Sequence, residues 1–233
     1  MAPTSRLILT RHAQAEHNVD LDYSIPDAPL TPLGKKQAAS LSRQIPSLQK
    51  EADLIVSSPL RRTLQTTALG WAPAVSRLGG PKAVVLLPEA QECNALPCDT
   101  GSSRETLAAD PEFMVFNLDP LTPDWTSKHG FWAASEEALS RRARAVRQFL
   151  RARPEKNIVL VAHGDILRRI TCRPGTGPSD YQWKNAEVRI FEFDPEHVEA
   201  EDCFLYQKED VAAAGGYGPT STELEIEEAE GKL

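Results

Sequence analysis

Residues 157–170 read NIVLVAHGDILRRI, and strand, turn and helix follow one another inside that single stretch. The apolar run up to Ala162 predicts a buried strand, His163 and Gly164 a turn, and the residues after them a helix. The same rhythm extends outward in both directions. Leu7 to Thr10 form a short apolar strand that runs straight into Arg11 and His12, and DLIVSS (53–58) is a second strand followed at once by Ser58 and Pro59. A third strand is read in AVVLLPE (83–89) and a last one in EVRIFEF (187–193).

Helices fill the intervals. In APLTPLGKKQAASLSRQIP (28–46), Thr31 is an N-cap and Pro32 the first helical residue, Ala38, Leu41 and Ile45 share one face, and Pro46 is the stop. Ser58 and Pro59 predict the same start for PLRRTLQTTAL, which carries Leu60, Leu64 and Ala68 at helical spacing and is closed by Gly70. A long helix in SEEALSRRARAVRQFLRAR (135–153) has Ser135 as cap, Glu136 and Glu137 in its first turn and arginines in its last. Strands alternating with helices imply an α/β fold, a mostly parallel central sheet with helices on both faces. Residues 93–134 break the rhythm with Pro, Gly, Asp and Ser and are read as a lid inserted into the sheet domain, its Phe113, Phe116, Trp125 and Trp132 forming a small core of their own.

The chain of 233 residues is long enough for one large domain, read here as residues 1–206, followed by an acidic, Gly-containing and flexible tail over 207–233. The net charge of −7 argues against a nucleic-acid surface, and part of it sits in the Glu-rich end between Glu223 and Glu230. No apolar run is long enough for a membrane span or a signal peptide, so a cytoplasmic or nuclear location is expected, with Cys93, Cys98, Cys172 and Cys203 as reduced thiols. Cys93 and Cys98 lack the paired spacing of a zinc site, and no metal is expected. Oligomeric state is left open.

In a parallel sheet the ligand sits at the carboxyl ends of the strands. Three such ends supply Arg11 and His12, then Ser58 with Arg61 and Arg62, then His163. Two imidazoles and two guanidinium groups converging there suit a phosphate: arginine forks match its oxygens, and neutral imidazole is a competent nucleophile toward phosphorus. A departing alkoxide would also need a proton donor, and Glu89 and Glu92 after the third strand are the candidates. His17, His129 and His197 are read as surface or locally bonded residues, with the pocket mouth as an alternative for His17, and Arg61, Arg168 and Arg169 as charged surface.

Four stretches in order, LTRHAQAEHN, LTPLGKKQA, SSPLRRTLQTT and VLVAHGDILR, resemble the consecutive signatures of the histidine phosphatase, or phosphoglycerate mutase-like, superfamily. The resemblance spans residues 6 to 170. It implies that His12 is the phosphorylated nucleophile, that Arg11, Arg62 and Asn18 are phosphate ligands, that His163 is the second catalytic histidine and that Glu92 is the acid. It further implies a metal-independent phosphatase without cofactor, acting on a small phosphorylated substrate, with a mutase or a non-catalytic phospho-ligand module as alternatives. Two departures stand out. Ala13 replaces the usual Gly after the nucleophile, and CNALPCDTGSSR after Glu92 lacks both the ERHYG-like run of mutases and the GxWEG-like run of many small phosphatases.

Overall fold

The computed structural model describes residues 4–19, 21–207 and 212–218. Its elements in chain order are β1 (Arg6–Arg11), α1 (Glu16–Val19), α2 (Pro32–Gln44), α3 (Pro46–Glu51), β2 (Leu54–Ser57), α4 (Arg61–Gly70), α5 (Ala72–Arg77), β3 (Val85–Leu86), α6 (Arg104–Ala109), α7 (Glu136–Arg151), β4 (Asn157–Ala162), α8 (Gly164–Ile170), β5 (Val188–Phe193) and β6 (Leu205–Tyr206). The sheet order is β3-β2-β4-β1-β5-β6. Its first four strands are parallel, and β5 and β6 complete it antiparallel. The mostly parallel α/β sheet read from the sequence is the one observed.

The strands read as unbroken apolar runs because both faces of the sheet are covered. Ile8, Ile55, Val159 and Val161 pack with Leu41 of α2 and Leu64 of α4. Leu7, Leu9, Val56, Ile158 and Leu160 turn to the opposite face, against Leu139 and Val146 of α7 and Ile166 of α8. Each such side chain contributes about 1.5–3 kcal/mol by leaving water, and the period-2 alternation fixes which strand residue meets which helix. Register then sets the strand ends level. Arg11 lies opposite Ala162 and Ser57 opposite Val161, so His12, His163 and Ser58 leave the sheet side by side.

Two of the three expected caps are present: Thr31 Oγ1 accepts the Gly34 N–H at 2.9 Å, and Ser135 Oγ accepts that of Ala138 at 3.4 Å. Elsewhere the local signals resolve differently. Helix α4 starts at Arg61 with Leu60 as its cap residue, so Ser58 does not cap it. Pro46 ends α2 but also opens α3. The third strand shrinks to Val85–Leu86, because Pro88 has no N–H for a ladder and begins a 3₁₀ turn over Pro88–Ala90. Gly70 closes α4 as read and serves packing as well: a Cβ there would come within 3.1 Å of the Ala38 carbonyl and of Leu41 Cδ1, so the missing side chain lets α4 close on α2.

The insertion after β3 holds α6 and two 3₁₀ turns, Pro97–Asp99 and Gly130–Trp132. Its Phe113, Phe116 and Trp125 do not form a separate core but join the one under α2 and α4, against which Trp132 is half-buried. Beyond residue 206, Ala213 and Ala214 exchange hydrogen bonds with Val188, and Tyr217 pairs with Asn185. The Glu-rich end lies outside the described residues. No helix among the described residues is long and apolar enough to cross a membrane.

The loop after β1 is braced by the segment that opens α2. Gln14 gives its N–H to Gln37 Oε1 at 3.0 Å and takes the Thr31 N–H on its carbonyl at 3.1 Å. That carbonyl lies where Gly34 would carry a side chain, 1.9 Å from an ideal Cβ. Gly34→Ala is expected to displace the loop and lower stability by about 1–3 kcal/mol, the usual cost of overpacking. Urea unfolding checks it, and an unchanged midpoint would contradict the close approach.

Candidate active site

His12 follows the last residue of β1 and is 1% exposed. Its Nδ1–H donates to the Ala13 carbonyl at 2.7 Å, which leaves Nε2 as the lone-pair nitrogen. Burial, then the charges of Arg62 and Arg11, hold its pKa well below the ordinary imidazole value. The ring is therefore neutral, as a nucleophile must be. Ala13 does not disturb this arrangement. It is not among the residues with positive φ, its methyl is buried in the core, and its N–H donates to Thr66 Oγ1 of α4 at 3.1 Å.

His163 caps β4, its ring centroid 5.2 Å from that of His12. Its Nδ1 accepts from Arg62 Nε at 3.1 Å, so the neutral ring carries its proton on Nε2 and donates it to Ser58 Oγ at 2.8 Å. Ser58, read from the sequence as a helix cap, instead orients this imidazole. Arg62 is wholly buried; Nη1 donates to the Cys98 carbonyl and Nη2 to Asp99 Oδ1 at 2.9 Å. Of the five N–H donors of a guanidinium these bonds occupy three, and two remain for an anion. Arg11 is half-buried and held by the Trp183 carbonyl.

Glu92 is buried at the opening of α8. Oε1 accepts the N–H groups of Cys93 and Ile166 at 2.9 and 3.1 Å, and Oε2 accepts that of Asp165 at 3.3 Å. Burial, then the charges of Asp99 and Asp165, raise its pKa to about 7. It lines a cavity of about 130 Å³ with Arg11, Asp165, Arg168, Gln182 and Trp183. Glu89, its rival in the sequence, lies in the Pro88–Ala90 turn and does not line that cavity. A larger cavity of about 540 Å³, bounded by Tyr181, Phe191 and Tyr206 at the β5–β6 edge, is lined by neither Arg11 nor Glu92, and no histidine lines either cavity.

Arg168 and Arg61 differ from their sequence reading, and of the readings open for His17 the structure takes the locally bonded one: it is buried, its ring 6.0 Å from that of His12. Asn18 Oδ1 accepts the Ala15 N–H, so Nδ2 is the nitrogen that donates to His17 Nε2 at 3.1 Å. Neutral His17 then carries its proton on Nδ1, a buried donor with no partner, and burial with Arg62 and Arg11 lowers its pKa to about 3. Arg168 turns to the cavity, tied to the Ser179 carbonyl at 2.6 Å. Arg61 pins the insertion instead of facing solvent, 4.0 Å from Asp27, 3.9 Å from Asp110 and over the Phe113 ring. The pair HN at 17–18, directly after the first motif, was the one sequence signal for His17; Asp99 and Lys128 of the insertion carried none.

Residues 7–204 match the histidine phosphatase superfamily (branch 1). The chain belongs to that superfamily. A probable phosphatase of Schizosaccharomyces pombe is 28% identical over 167 residues, covering 70% of this chain and 75% of the relative. A broad-specificity phosphatase of Saccharomyces cerevisiae is 28% identical over 175 residues, covering 71% and 68%. Among solved structures, phosphoserine phosphatase of Entamoeba histolytica in complex with 3-phosphoglyceric acid superimposes with a TM-score of 0.55 at 25% identity, covering 88% of this chain and 95% of that one. This histidine phosphatase is thus an enzyme, with the fold and relatives of phosphatases.

The bonds fix three tautomers: Nδ1–H on His12 and His17, Nε2–H on His163. Long-range ¹H–¹⁵N spectra are expected to report them, with all three rings still neutral at pH 6, below the ordinary histidine pKa. An imidazolium at any of the three at that pH would contradict the buried, cation-flanked site.

Proposed function

We propose that the chain hydrolyses small phosphate monoesters through a phosphohistidine on His12. The observation that carries this reading is His12 itself: a neutral ring with Nδ1 tied to its own loop and Nε2 left as a nucleophile, between two guanidinium groups. In the first step Nε2 bonds to phosphorus as the ester P–O bond breaks, and the departing alkoxide takes the proton of Glu92. In the second step Glu92 removes a proton from water, the water oxygen bonds to phosphorus, and orthophosphate leaves as the P–N bond breaks. Arg11, Arg62, His163 and Asn18 hold the phosphoryl oxygens, with Asn18 acting partly through His17. Charge neutralisation and in-line placement are what this transfer asks of a protein, and the route as written uses no metal or cofactor.

The names of the relatives support the substrate class, since one is a broad-specificity phosphatase and another a phosphoserine phosphatase. The four cysteines are free thiols, which suits a reducing cytoplasmic or nuclear compartment.

Turnover of p-nitrophenyl phosphate in the presence of chelator is expected in the wild type and absent in His12→Ala. Alkaline denaturing quench with labelled substrate should trap a base-stable, acid-labile phosphoprotein only when His12 is intact. Release of the phosphoryl group to a sugar acid in place of water would convert the assignment to a mutase, and tight vanadate binding without turnover would leave only a binding module.

The acid has its own signature. A general acid with a pKa of about 7 is protonated below that pH, so kcat/KM on an alkyl phosphate should be full below about pH 7 and decline tenfold per unit above it. Glu92→Gln is expected to abolish that limb and cost about 10²–10⁴-fold on phosphoserine, with a much smaller loss on p-nitrophenyl phosphate, whose leaving group needs no proton. Equal losses on both substrates would remove Glu92 from the role.

A further inference from the structure

We infer that Asp99, delivered by the insertion after β3, is a positioning residue of the phosphatase site: it aims the Arg62 guanidinium and presents the negative charge that Glu92 faces. The inference deepens the phosphatase reading and rests on it.

The geometry is a chain of short contacts in a dry place. Asp99 is 5% exposed and Arg62 0%, and Asp99 Oδ1 receives Arg62 Nη2 at 2.9 Å. The neighbouring Cys98 carbonyl receives Nη1, so the Pro97–Asp99 turn grips both ends of the fork. Gripped this way, the guanidinium points Nε at His163 Nδ1, and the tautomer of His163 follows from the placement of Asp99. The turn is itself anchored. Lys128 Nζ bridges the Asp99 carbonyl at 2.7 Å and Gln91 Oε1 at 2.9 Å, and Gln91 adjoins Glu92 and donates to the Trp125 carbonyl at 2.8 Å.

A carboxylate beside a phosphate-binding arginine weakens the pull of that arginine on an anion. What it supplies in exchange is orientation, and a charge that opposes ionisation of the acid. Glu92 is faced by Asp99 from the insertion, Asp165 from α8, Arg62 from α4, Arg11 from β1, Arg142 from α7, Lys128, and the Cys93 thiol. Of the two anions in that set, Asp99 has the larger effect, ahead of the cavity-lining Asp165.

The test uses the full chain and two substrates. In Asp99→Asn, which keeps an oxygen for Arg62 but removes the charge, the alkaline limb of kcat/KM on phosphoserine should move to lower pH by about half a unit to one unit. Activity on phosphoserine at pH 7.5 should fall ~10-fold or more, with p-nitrophenyl phosphate turnover down only a fewfold. An unmoved limb with equal losses on both substrates would overturn the role, because a merely structural residue gives that pattern. Asp99→Glu keeps the charge on a longer arm: its limb should stay in place while vanadate binding, read by calorimetry, weakens ~10-fold, and unchanged binding would overturn the clamp. Vanadate affinity is readable without turnover, so Asp99→Glu decides the clamp even if Asp99→Asn fails to fold. If the wild type hydrolyses neither substrate, the phosphatase reading falls separately.

Discussion

One buried cation organises this molecule. The Arg62 guanidinium, out of reach of water, is bonded at once to the histidine that ends β4, to the carbonyl of Cys98 and to the carboxylate of Asp99. Removing one partner of such a buried pair strands the other and typically costs about 3–5 kcal/mol, so a helix, a strand end and an insertion are held in a single arrangement. The sheet register makes this possible by ending β1, β2 and β4 at the same level. Helix α4 then starts only two residues after Pro59, which leaves Ser58 in the strand-end row, where its hydroxyl meets His163.

The electrostatics of the site run in two directions from the same cause. Burial penalises any charge, and beside two guanidinium groups it keeps three imidazoles neutral; around Glu92, where anions also converge, it keeps a carboxyl protonated. Groups whose proton affinities are driven apart in this way suit the proposed division into nucleophile and acid. The result is a pair of guanidinium groups set among neutral rings, the pairing that the proposed phosphate cradle requires.

Much of this was legible in the sequence, because the signals are local. Thr31 with Pro32 and Ser135 with two glutamates mark helix starts that the structure repeats, and apolar runs that end in Arg-His or His-Gly mark strand ends at a ligand site. The rest depended on contacts between distant segments. Ser58-Pro59 carries the same local signal as Thr31-Pro32, yet the pull of His163, far along the chain, gives it another use. Gly70 is the helix stop it resembles, and its second use, the close contact with α2, has no local signal. The burial of His17, the inward turn of Arg168 and the grip of Asp99 on Arg62 are decided by side-chain directions across the fold, for which spacing along the chain has no code. The insertion was hardest to read, since its aromatic residues look like a separate core and in fact extend the main one.

The position of β1 within the sheet has a consequence for how the chain comes into being. The strand that leads into His12 is made well before its two neighbours, residues 157–162 and 188–192. Until those residues have left the ribosome, Leu7, Ile8 and Leu9 have no strand to pair with, and an unpaired apolar segment of this kind invites association with other chains. Long-range parallel pairing is also intrinsically slow to form. His12 is therefore born beside the segment that waits longest for its partners, and neither it nor Glu92 finds its surroundings before β4 and β5 close around β1.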